Sequence, residues 1–284
     1  MAATLMYGKP VAERIRAEVA DDVRRIGHVG LATVLVGDDP ASQVYIRHKH
    51  DAAVAAGLDA RDVRLPADTP EEDVLAEVAA LARDDEIDAL LVQLPLPDHV
   101  DEDRVLATVD PVKDVDGFHP YNAGRLYLGR PTLVPATPLG IMALLEEHEI
   151  ELRGARAVVV GRSEIVGKPI AHLLLQAHAT VSICHSRTDD LGHYTRDADV
   201  LVVAAGRQAL VTADMVKPGA VVVDVGINRT ESGLAGDVDP AAADVAGFFT
   251  PVPGGVGPMT IALLLKNALR CAEYRLQRGV FPGR

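Results

Sequence analysis

The 284-residue sequence contains only two cysteines, and their separation matches no common metal-binding spacing. Cys184 lies in an apolar run and Cys271 in a helical pattern, so we expect two reduced, packed thiols rather than a disulfide. The sequence also lacks an apolar run of membrane-spanning length and the N-terminal pattern of a secretory signal. These absences predict a soluble, cytoplasmic protein with no metal ion and no membrane partner.

Basic residues are scarce relative to acidic ones. Lys and Arg number 28 against 41 Asp and Glu, which gives a formal net charge of −13 at pH 7. This charge argues against nucleic acid or an anionic membrane as a partner. A local anion site, built from a helix N-terminus and one or two arginines, is still compatible with it.

Hydrophobic residues make up 48% of the chain, enough for a substantial core, and the length predicts two compact units. Apolar runs alternate with helical patterns in both halves, which predicts an α/β fold with parallel sheets. Residues 110–137 are rich in Pro, Gly and Asp, and we interpret them as a functional loop between the units. We predict two αβα-type domains: a first of residues 1–137 plus 258–284, and a second, Rossmann-like dinucleotide-binding domain of residues 138–257.

The stretch VVVGRSEIVGKP, residues 158–169, has the order strand, turn, helix, with glycines at 161 and 167. It departs from the GxGxxG fingerprint because Arg162 and Ser163 stand where a second glycine would let the backbone approach a pyrophosphate. Taken alone, the stretch fits either a dinucleotide site or an ordinary strand–helix turn.

The next predicted strand favours a phosphorylated dinucleotide. NAD-binding domains of this type usually carry an Asp or Glu at the end of the second strand, where it accepts a hydrogen bond from a ribose hydroxyl. Here the corresponding residues are His185, Ser186 and Arg187, and Arg162 lies in the neighbouring turn. Because a guanidinium suits a phosphate, we expect NADP rather than NAD. The alternative for Arg187 is a solvated loop arginine.

In the first half, Tyr45 and Lys49 are four residues apart on a predicted helix and therefore share a face. His48 and His50 flank the lysine on other faces, and we interpret them as solvated side chains. A lysine beside an aromatic ring can be desolvated, which lowers its pKa and allows proton exchange near neutrality. The alternative is an ordinary surface lysine.

Two further polar residues favour the functional interpretation of Lys49. Gln93 ends a buried apolar run, which is an unusual place for a polar side chain unless it faces a cleft at the carboxyl edge of the sheet. Asp116, in the segment KDVDG, is a suitable acceptor for a ring that carries amino and amide donors.

Together, these segments resemble the bifunctional methylenetetrahydrofolate dehydrogenase/methenyltetrahydrofolate cyclohydrolase family. The resemblance runs from about residue 5 to 275. Its most specific elements, in order along the chain, are YIRHK, VQLPLP, PVKDVDGFHPYNAGRL, VVVGRSEIVGKP, DVGIN, GDVD and TPVPGGVGPMT.

For the first domain, the resemblance implies a catalytic acid/base at Lys49 and a tyrosine, Tyr45, that stacks on the folate ring system. It also implies that Gln93 bonds to the lysine and that Asp116 anchors the pterin ring. The expected reactions are NADP-dependent oxidation of 5,10-methylenetetrahydrofolate and hydrolysis of the methenyl product to 10-formyltetrahydrofolate.

For the second domain, the resemblance implies NADP-binding positions at Gly161, Arg162, Ser163, Ser186 and the Ile227 backbone. It places the loop Pro253-Gly254-Gly255 against the folate, and it implies a homodimer formed through the cofactor domain. Two positions depart from the family pattern, Ala136 for a common cysteine and Glu164 for a small residue or Asn at the cofactor turn.

Two other functions are compatible with this fold. One is a monofunctional dehydrogenase that uses NADP or NAD. The presence of Tyr45, Lys49, Gln93 and Asp116 argues against it. The other is a non-catalytic NADP-sensing protein, which would bind the cofactor without folate-dependent NADPH production.

Overall fold

The computed structural model describes residues 3–38, 40–231, 233–276 and 281. The chain divides into two compact units. The three-stranded unit consists of Arg14–Val134 and Ile261–Arg284, and the six-stranded unit consists of Met1–Glu13 and Pro135–Thr260.

The first half of the chain alternates helices and strands. Its elements are β1 (Thr4–Leu5), α1 (Gly8–Ile26), β2 (Gly30–Val36), α2 (Pro40–Ala55), β3 (Asp59–Leu65), α3 (Glu71–Arg83), β4 (Ala89–Val92), α4 (Glu102–Thr108) and α5 (Pro120–Tyr127).

The second half continues the alternation, with two short 3-10 turns at Ala213–Met215 and Pro240–Asp244. Its elements are α6 (Ala136–Glu147), β5 (Arg156–Val160), α7 (Gly167–Gln176), β6 (Thr180–Cys184), α8 (Leu191–Thr195), β7 (Val200–Val203), β8 (Val221–Asp224), β9 (Asn228–Thr230), β10 (Gly233–Ala235), β11 (Phe248–Phe249) and α9 (Val256–Arg275).

The sheet of the three-stranded unit has the order β3-β2-β4, and both strand pairs are parallel. Every residue of the central strand β2 is buried, as expected for a strand covered on both faces. One face of this sheet packs on helix α3 through Val74, Val78 and Leu81. Because all three strands run the same way, their carboxyl ends share one edge of the sheet.

The sheet of the six-stranded unit has the order β1-β11-β8-β7-β5-β6, again with parallel pairs. Strands β7 and β8 are fully buried, whereas β6 at the end of the sheet is half exposed. The predicted α/β fold with a parallel, Rossmann-like second sheet is confirmed.

The predicted loop over residues 110–137 is wrong in part, because it contains helix α5, Pro120–Tyr127. Pro120 occupies the first turn, and the ring of His119 accepts a hydrogen bond from the backbone N–H of Tyr121 at 3.0 Å. Only eight residues long and with Gly124 inside it, this helix shows too little periodicity to be recognised from the sequence.

The predicted domain division and the two compact units differ at the N-terminus. The units place the first 13 residues with the six-stranded sheet, whereas the prediction places them in the first domain. The predicted functional boundaries stay a prediction. Among the described residues, no helix is both long enough and apolar enough to cross a membrane.

Candidate active site

Four predicted catalytic residues lie together at the carboxyl edge of the three-stranded sheet. Tyr45 and Lys49 are on α2, the helix that follows β2. Gln93 comes directly after β4, and its backbone N–H still donates to Val34 of β2 at 2.9 Å. The backbone N–H of Leu90 donates to Lys113 at 2.7 Å, so the segment that leads to Asp116 runs beside β4.

Lys49 is buried, with only 6% of its surface exposed. Its Nζ donates to Oε1 of Gln93 at 3.2 Å and lies 4.5 Å from the centroid of the Tyr45 ring. Gln93 is itself oriented, because its Nε2 donates to the Leu94 carbonyl at 2.7 Å. Burial lowers the pKa of the Lys49 ammonium, and the charge of Asp116 opposes this change.

Asp116 is the acidic member of the cluster. Burial raises the pKa of its carboxyl to about 6, with a smaller upward contribution from Asp114 and a downward one from Lys49. Burial, together with the charge of Asp116, also raises the pKa of the Tyr45 hydroxyl. The tyrosine therefore stays neutral near pH 7, and an amine and a carboxyl group with opposite pKa changes lie in the same cluster.

Asp114 supports this cluster, and the sequence interpretation missed it. Its buried carboxylate accepts hydrogen bonds from the backbone N–H groups of Phe118 (3.2 Å) and His119 (2.8 Å) and from Nδ2 of Asn122 (2.8 Å). These bonds fix the turn that carries Asp116. Its position two residues before Asp116 in KDVDG was the available sequence signal.

The two histidines beside Lys49 do not join the cluster. His48 is exposed. His50 has its Nδ1 3.2 Å from a carboxylate oxygen of Asp62, on strand β3. Both histidines are separate from the cluster, as predicted, but the prediction of a solvated side chain is right for His48 and wrong for His50, whose Nδ1 is buried beside Asp62.

The predicted cofactor-binding residues lie in the six-stranded unit. Gly161, at the end of β5, has φ +127°, and a Cβ there would lie 2.1 Å from the Ala204 carbonyl oxygen. A Cβ on Gly167 would lie 2.3 Å from the Gly161 carbonyl oxygen. Both positions therefore require glycine, and the tight turn between them leads into the N-terminus of α7.

Side chains of this turn are either exposed or involved in local bonds. The Ser163 hydroxyl accepts from the backbone N–H groups of Val166 (3.2 Å) and Gly167 (3.3 Å), whereas the Arg162 side chain is exposed. Glu164 pairs with Lys168, with its Oε1 2.5 Å from Nζ. The acidic residue at the turn is thus accompanied by a cation four residues later.

The residues that follow β6 form a second turn. The backbone N–H of His185 donates to the Thr188 hydroxyl at 2.9 Å, and the N–H of Arg187 donates to Nδ1 of His185 at 3.1 Å. Ser186 and Arg187 are exposed and lie at the end of the strand next to β5. Their side chains are therefore available to a ligand.

Two more predicted positions lie elsewhere in this unit. Ile227 follows β8 and is 63% exposed. In the loop Pro253-Gly254-Gly255, Gly254 has φ +110° and its carbonyl accepts from Gly8 at 2.9 Å. The structure thus brings Tyr45, Lys49, Gln93 and Asp116 together in one unit, and it places the other predicted site residues in the other unit.

Comparison with known families gives two matches. The model of the NAD(P)-binding domain of tetrahydrofolate dehydrogenase/cyclohydrolase matches residues 135–276. The model of the catalytic domain of the same family matches residues 6–116.

Individual relatives cover nearly the whole chain. The Bifunctional protein FolD of Cupriavidus necator is 56% identical over 279 residues, which are 96% of this chain and 99% of that protein. The crystal structure of the bifunctional FolD methylenetetrahydrofolate dehydrogenase/cyclohydrolase of Campylobacter jejuni has a TM-score of 0.95 at 47% identity, with 96% and 100% coverage. The Trypanosoma brucei dehydrogenase-cyclohydrolase, solved with NADP and an inhibitor, has a TM-score of 0.92 at 37% identity, with 98% and 99% coverage.

Proposed function

Because this chain belongs to the tetrahydrofolate dehydrogenase/cyclohydrolase family, we propose that the Lys49 cluster is its folate-binding catalytic centre. The enzyme oxidises 5,10-methylenetetrahydrofolate with NADP⁺ and hydrolyses the methenyl product to 10-formyltetrahydrofolate. The family, both activities and the NADP cofactor agree with the sequence-based prediction. The observation that carries the residue assignment is the buried Lys49 amine held by Gln93 over the Tyr45 ring.

The residues at the carboxyl edge of the six-stranded sheet fit NADP. Glycines at 161 and 167 allow the tight turn that leads into α7, whose N-terminus favours an anion. We assign the cofactor phosphates to the region of Gly161, Arg162, Ser163, Ser186 and Arg187, with Ile227 contributing its backbone. When bound, NADP⁺ supplies the hydride acceptor of the first reaction.

Tyr45 and Asp116 are assigned to orientation of the folate. The flat face of the Tyr45 ring suits stacking on a planar ring system, and a carboxylate at Asp116 accepts from amino and amide donors. Hydride transfer depends chiefly on alignment, so these two residues are expected to serve both reactions. The loop Pro253-Gly254-Gly255 is assigned to the same substrate.

Lys49 is assigned to proton transfer in the hydrolysis. Water adds to the cationic methenyl carbon and loses one proton to leave a hydroxyl group. That hydroxyl then loses its proton as its oxygen becomes the formyl carbonyl, while the bond from the carbon to one ring nitrogen breaks and this nitrogen takes up a proton. One proton is released overall. A neutral amine can accept the first proton and return one to the leaving nitrogen. The lowered pKa of Lys49 increases the fraction in that neutral form.

A matched pair of substitutions tests this assignment. Lys113 is a suitable control because burial also lowers its pKa, but its Nζ donates to the Asp84 carbonyl, away from Tyr45. We expect Lys49→Met to slow methenyltetrahydrofolate hydrolysis by about 100- to 10,000-fold, and Lys113→Met to change it little. Equal hydrolysis by Lys49→Met and the wild type would contradict the role of Lys49.

We also propose that residues 1–137 plus 258–284 form the folate-binding domain and residues 138–257 the NADP-binding domain. The positions of Tyr45, Lys49, Gln93 and Asp116 in one unit and of the Gly161 turn in the other support this division. Substitutions in the Gly161 turn should then weaken NADP binding while leaving hydrolysis near the wild-type rate.

A homodimer through the NADP-binding domain is the proposed assembly. Strand β6 lies at one end of the six-stranded sheet, and Ile183 on it is 44% exposed. Such an edge is a surface on which a second copy can pack. Sedimentation should show a dimer for the wild type and for Leu128→Lys, which alters an exposed leucine of the other unit, but a monomer for Ile183→Lys.

We further propose a cytoplasmic enzyme that acts on small molecules and not on nucleic acid. Both cysteines are free and buried, as predicted, which suits a reducing compartment. The net charge of −13 opposes binding to polyanions. Fractionation of cells and a filter-binding assay with DNA and RNA would test the two statements.

A further inference from the structure

Two buried aspartates of the six-stranded unit are not used by the chemistry above. Asp237 is fully buried, and its carboxylate accepts four hydrogen bonds from nearby donors. Its Oδ2 accepts from the backbone N–H groups of Ala205 and Gly206, both at 2.7 Å. Its Oδ1 accepts from the N–H of Arg207 at 2.9 Å and from Nδ2 of Asn228 at 2.8 Å.

Asp224, at the end of β8, is 2% exposed and holds the segment around Asp237 in return. Its Oδ1 accepts from the backbone N–H groups of Gly226 and Asp237, both at 2.9 Å. Its Oδ2 accepts from the N–H of Val238 at 3.0 Å. The two carboxylates thus connect the loops that follow β7 and β8 with the segment GDVD.

Two glycines make this arrangement possible. A Cβ on Gly226 would lie 2.3 Å from Oδ1 of Asp237, and a Cβ on Gly236 would lie 1.7 Å from Oδ2 of Asp224. Each carboxylate therefore occupies the space beside a glycine of the other segment. We call these two aspartates and two glycines the Asp224–Asp237 interlock. It gives a physical reason for the motifs DVGIN and GDVD, in which the four residues lie.

The interlock touches both sides of the assigned NADP site. Residues 205–207, held by Asp237, directly follow Ala204, whose carbonyl oxygen packs against Gly161 of the cofactor turn. On the other side, Ile227 lies between two residues that the carboxylates hold, Gly226 through its N–H and Asn228 through its side chain. Because the carboxylate of Asp237 bonds both to residues 205–207 and to Asn228, it sets the distance between the 205–207 loop and the Ile227 turn.

We propose that Asp237 is a positioning residue for NADP, which fixes the 205–207 loop and the Ile227 turn in the arrangement that binds the cofactor. The proposal rests on the assignment of Gly161 and Ile227 to the NADP site. A carboxylate is required because its two oxygens face only donors. An asparagine at 237 would turn an NH₂ group toward two of those donors and lose their hydrogen bonds.

The test compares Asp237→Asn with Asp239→Asn. Asp239 is a matched control because it lies two residues away and its Oδ1 accepts only a local backbone N–H, that of Ala241, at 2.9 Å. The direct dissociation constant of NADP⁺, the KM and kcat of the dehydrogenase, and hydrolysis without NADP are measured for both variants. Hydrolysis reports on the folate-binding cleft, which does not contain Asp237.

For Asp237→Asn we expect the dissociation constant and KM for NADP⁺ to rise at least about 10-fold, with kcat at saturating NADP⁺ and hydrolysis within about 3-fold of wild type. Asp239→Asn should leave all four values unchanged. Unchanged NADP⁺ affinity in a folded Asp237→Asn protein would overturn the proposal. Parallel loss of NADP⁺ binding, hydrolysis and circular dichroism would overturn it too, since that pattern indicates a merely structural role.

A milder variant keeps the proposal testable if Asp237→Asn does not fold. Asn228→Ala removes one of the four donors and leaves the three backbone N–H groups in place, so we expect NADP⁺ affinity to fall about 3-fold without loss of hydrolysis. No change in affinity would contradict the proposal. Failure of the wild type to oxidise methylenetetrahydrofolate with NADP⁺ would instead contradict the proposed function, whatever the variants bind.

Discussion

The Lys49 cluster and the Asp224–Asp237 interlock are both groups of buried charges, but their hydrogen bonding differs sharply. Nζ of Lys49 donates to Gln93 and otherwise faces an aromatic ring and a carboxyl group. The carboxylate of Asp237 accepts four hydrogen bonds, and that of Asp224 accepts three. One cluster leaves hydrogen-bonding capacity for a substrate, and the other uses its capacity within the protein.

This difference separates chemistry from architecture. Burial perturbs proton affinity in both groups, since it raises the pKa of Asp224 to about 6 as it does that of Asp116. A buried charge with few partners can in addition exchange protons with a ligand or bind it. A buried carboxylate surrounded by backbone N–H groups orders the segments that supply them. Substitutions should therefore affect activity most at Lys49 and stability or cofactor binding most at the interlock.

The largest expected effect on stability follows from a side chain at Gly236, which would fill the space that Oδ2 of Asp224 occupies in the interlock. Gly236→Ala places a Cβ 1.7 Å from Oδ2 of Asp224, so the carboxylate must move and lose its backbone partners. We expect the free energy of unfolding to fall by at least about 3 kcal/mol, measured by denaturant titration. Gly124→Ala is the control, because a Cβ there meets nothing within 4 Å. Equal stability of the two variants would show that the interlock tolerates rearrangement.

Asp114 and Asp116, which lie two residues apart, allow the same comparison within one loop. Asp114 accepts three hydrogen bonds, so Asp114→Ala should lower the free energy of unfolding by about 2 kcal/mol. Asp116→Ala removes a carboxyl whose pKa is raised to about 6 by burial, and it should change stability little. Thermal unfolding measures both. A greater loss of stability for Asp116→Ala than for Asp114→Ala would reverse our assignment of the two residues.

The sequence was sufficient to predict the cluster but not the interlock, for a physical reason. Helical spacing places Tyr45 and Lys49 on one face, and a polar Gln93 after an apolar run indicates a cleft. Three of the four partners of Asp237 lie 30 to 32 residues earlier and are backbone N–H groups, which any residue but proline supplies. Helix α5 and the support that Asp114 gives to Asp116 were missed because both depend on a few local hydrogen bonds, not on periodicity.

A smaller effect, of opposite sign, is expected at Lys49. Burial lowers the pKa of its ammonium, so the folded protein binds this proton more weakly than the unfolded chain does. The buried ammonium therefore lowers the free energy of unfolding. This destabilisation is largest at pH values below the pKa of Lys49 in the folded protein, and it disappears above the usual pKa of lysine. Lys49→Met should therefore raise the free energy of unfolding by about 1 kcal/mol at pH 7 and by less at pH 9.5. A destabilised Lys49→Met protein at pH 7 would mean that Lys49 stabilises the fold.

The smallest expected effect is a shift in the pH dependence of kcat/KM for methenyltetrahydrofolate hydrolysis. The negative charge of Asp116 raises the pKa of Lys49 against the effect of burial, so Asp116→Asn should lower that pKa further. If hydrolysis requires the neutral amine, its kcat/KM rises with pH as Lys49 loses its proton, and this rise should begin at lower pH in Asp116→Asn. The overall rate should also fall, because the variant loses the acceptor assigned to the folate ring.

Measurement of kcat/KM between pH 5.5 and 9, with the uncatalysed rate subtracted, checks this shift. The carboxyl of Asp116 has a pKa of about 6, so the two profiles should separate above that pH, where the wild-type residue is charged. Asp62→Asn, which alters the partner of His50, should keep the wild-type profile. A shift of the Asp116→Asn profile to higher pH would contradict stabilisation of the Lys49 ammonium by Asp116, and a kcat/KM that falls as pH rises would mean that the protonated lysine is the active form.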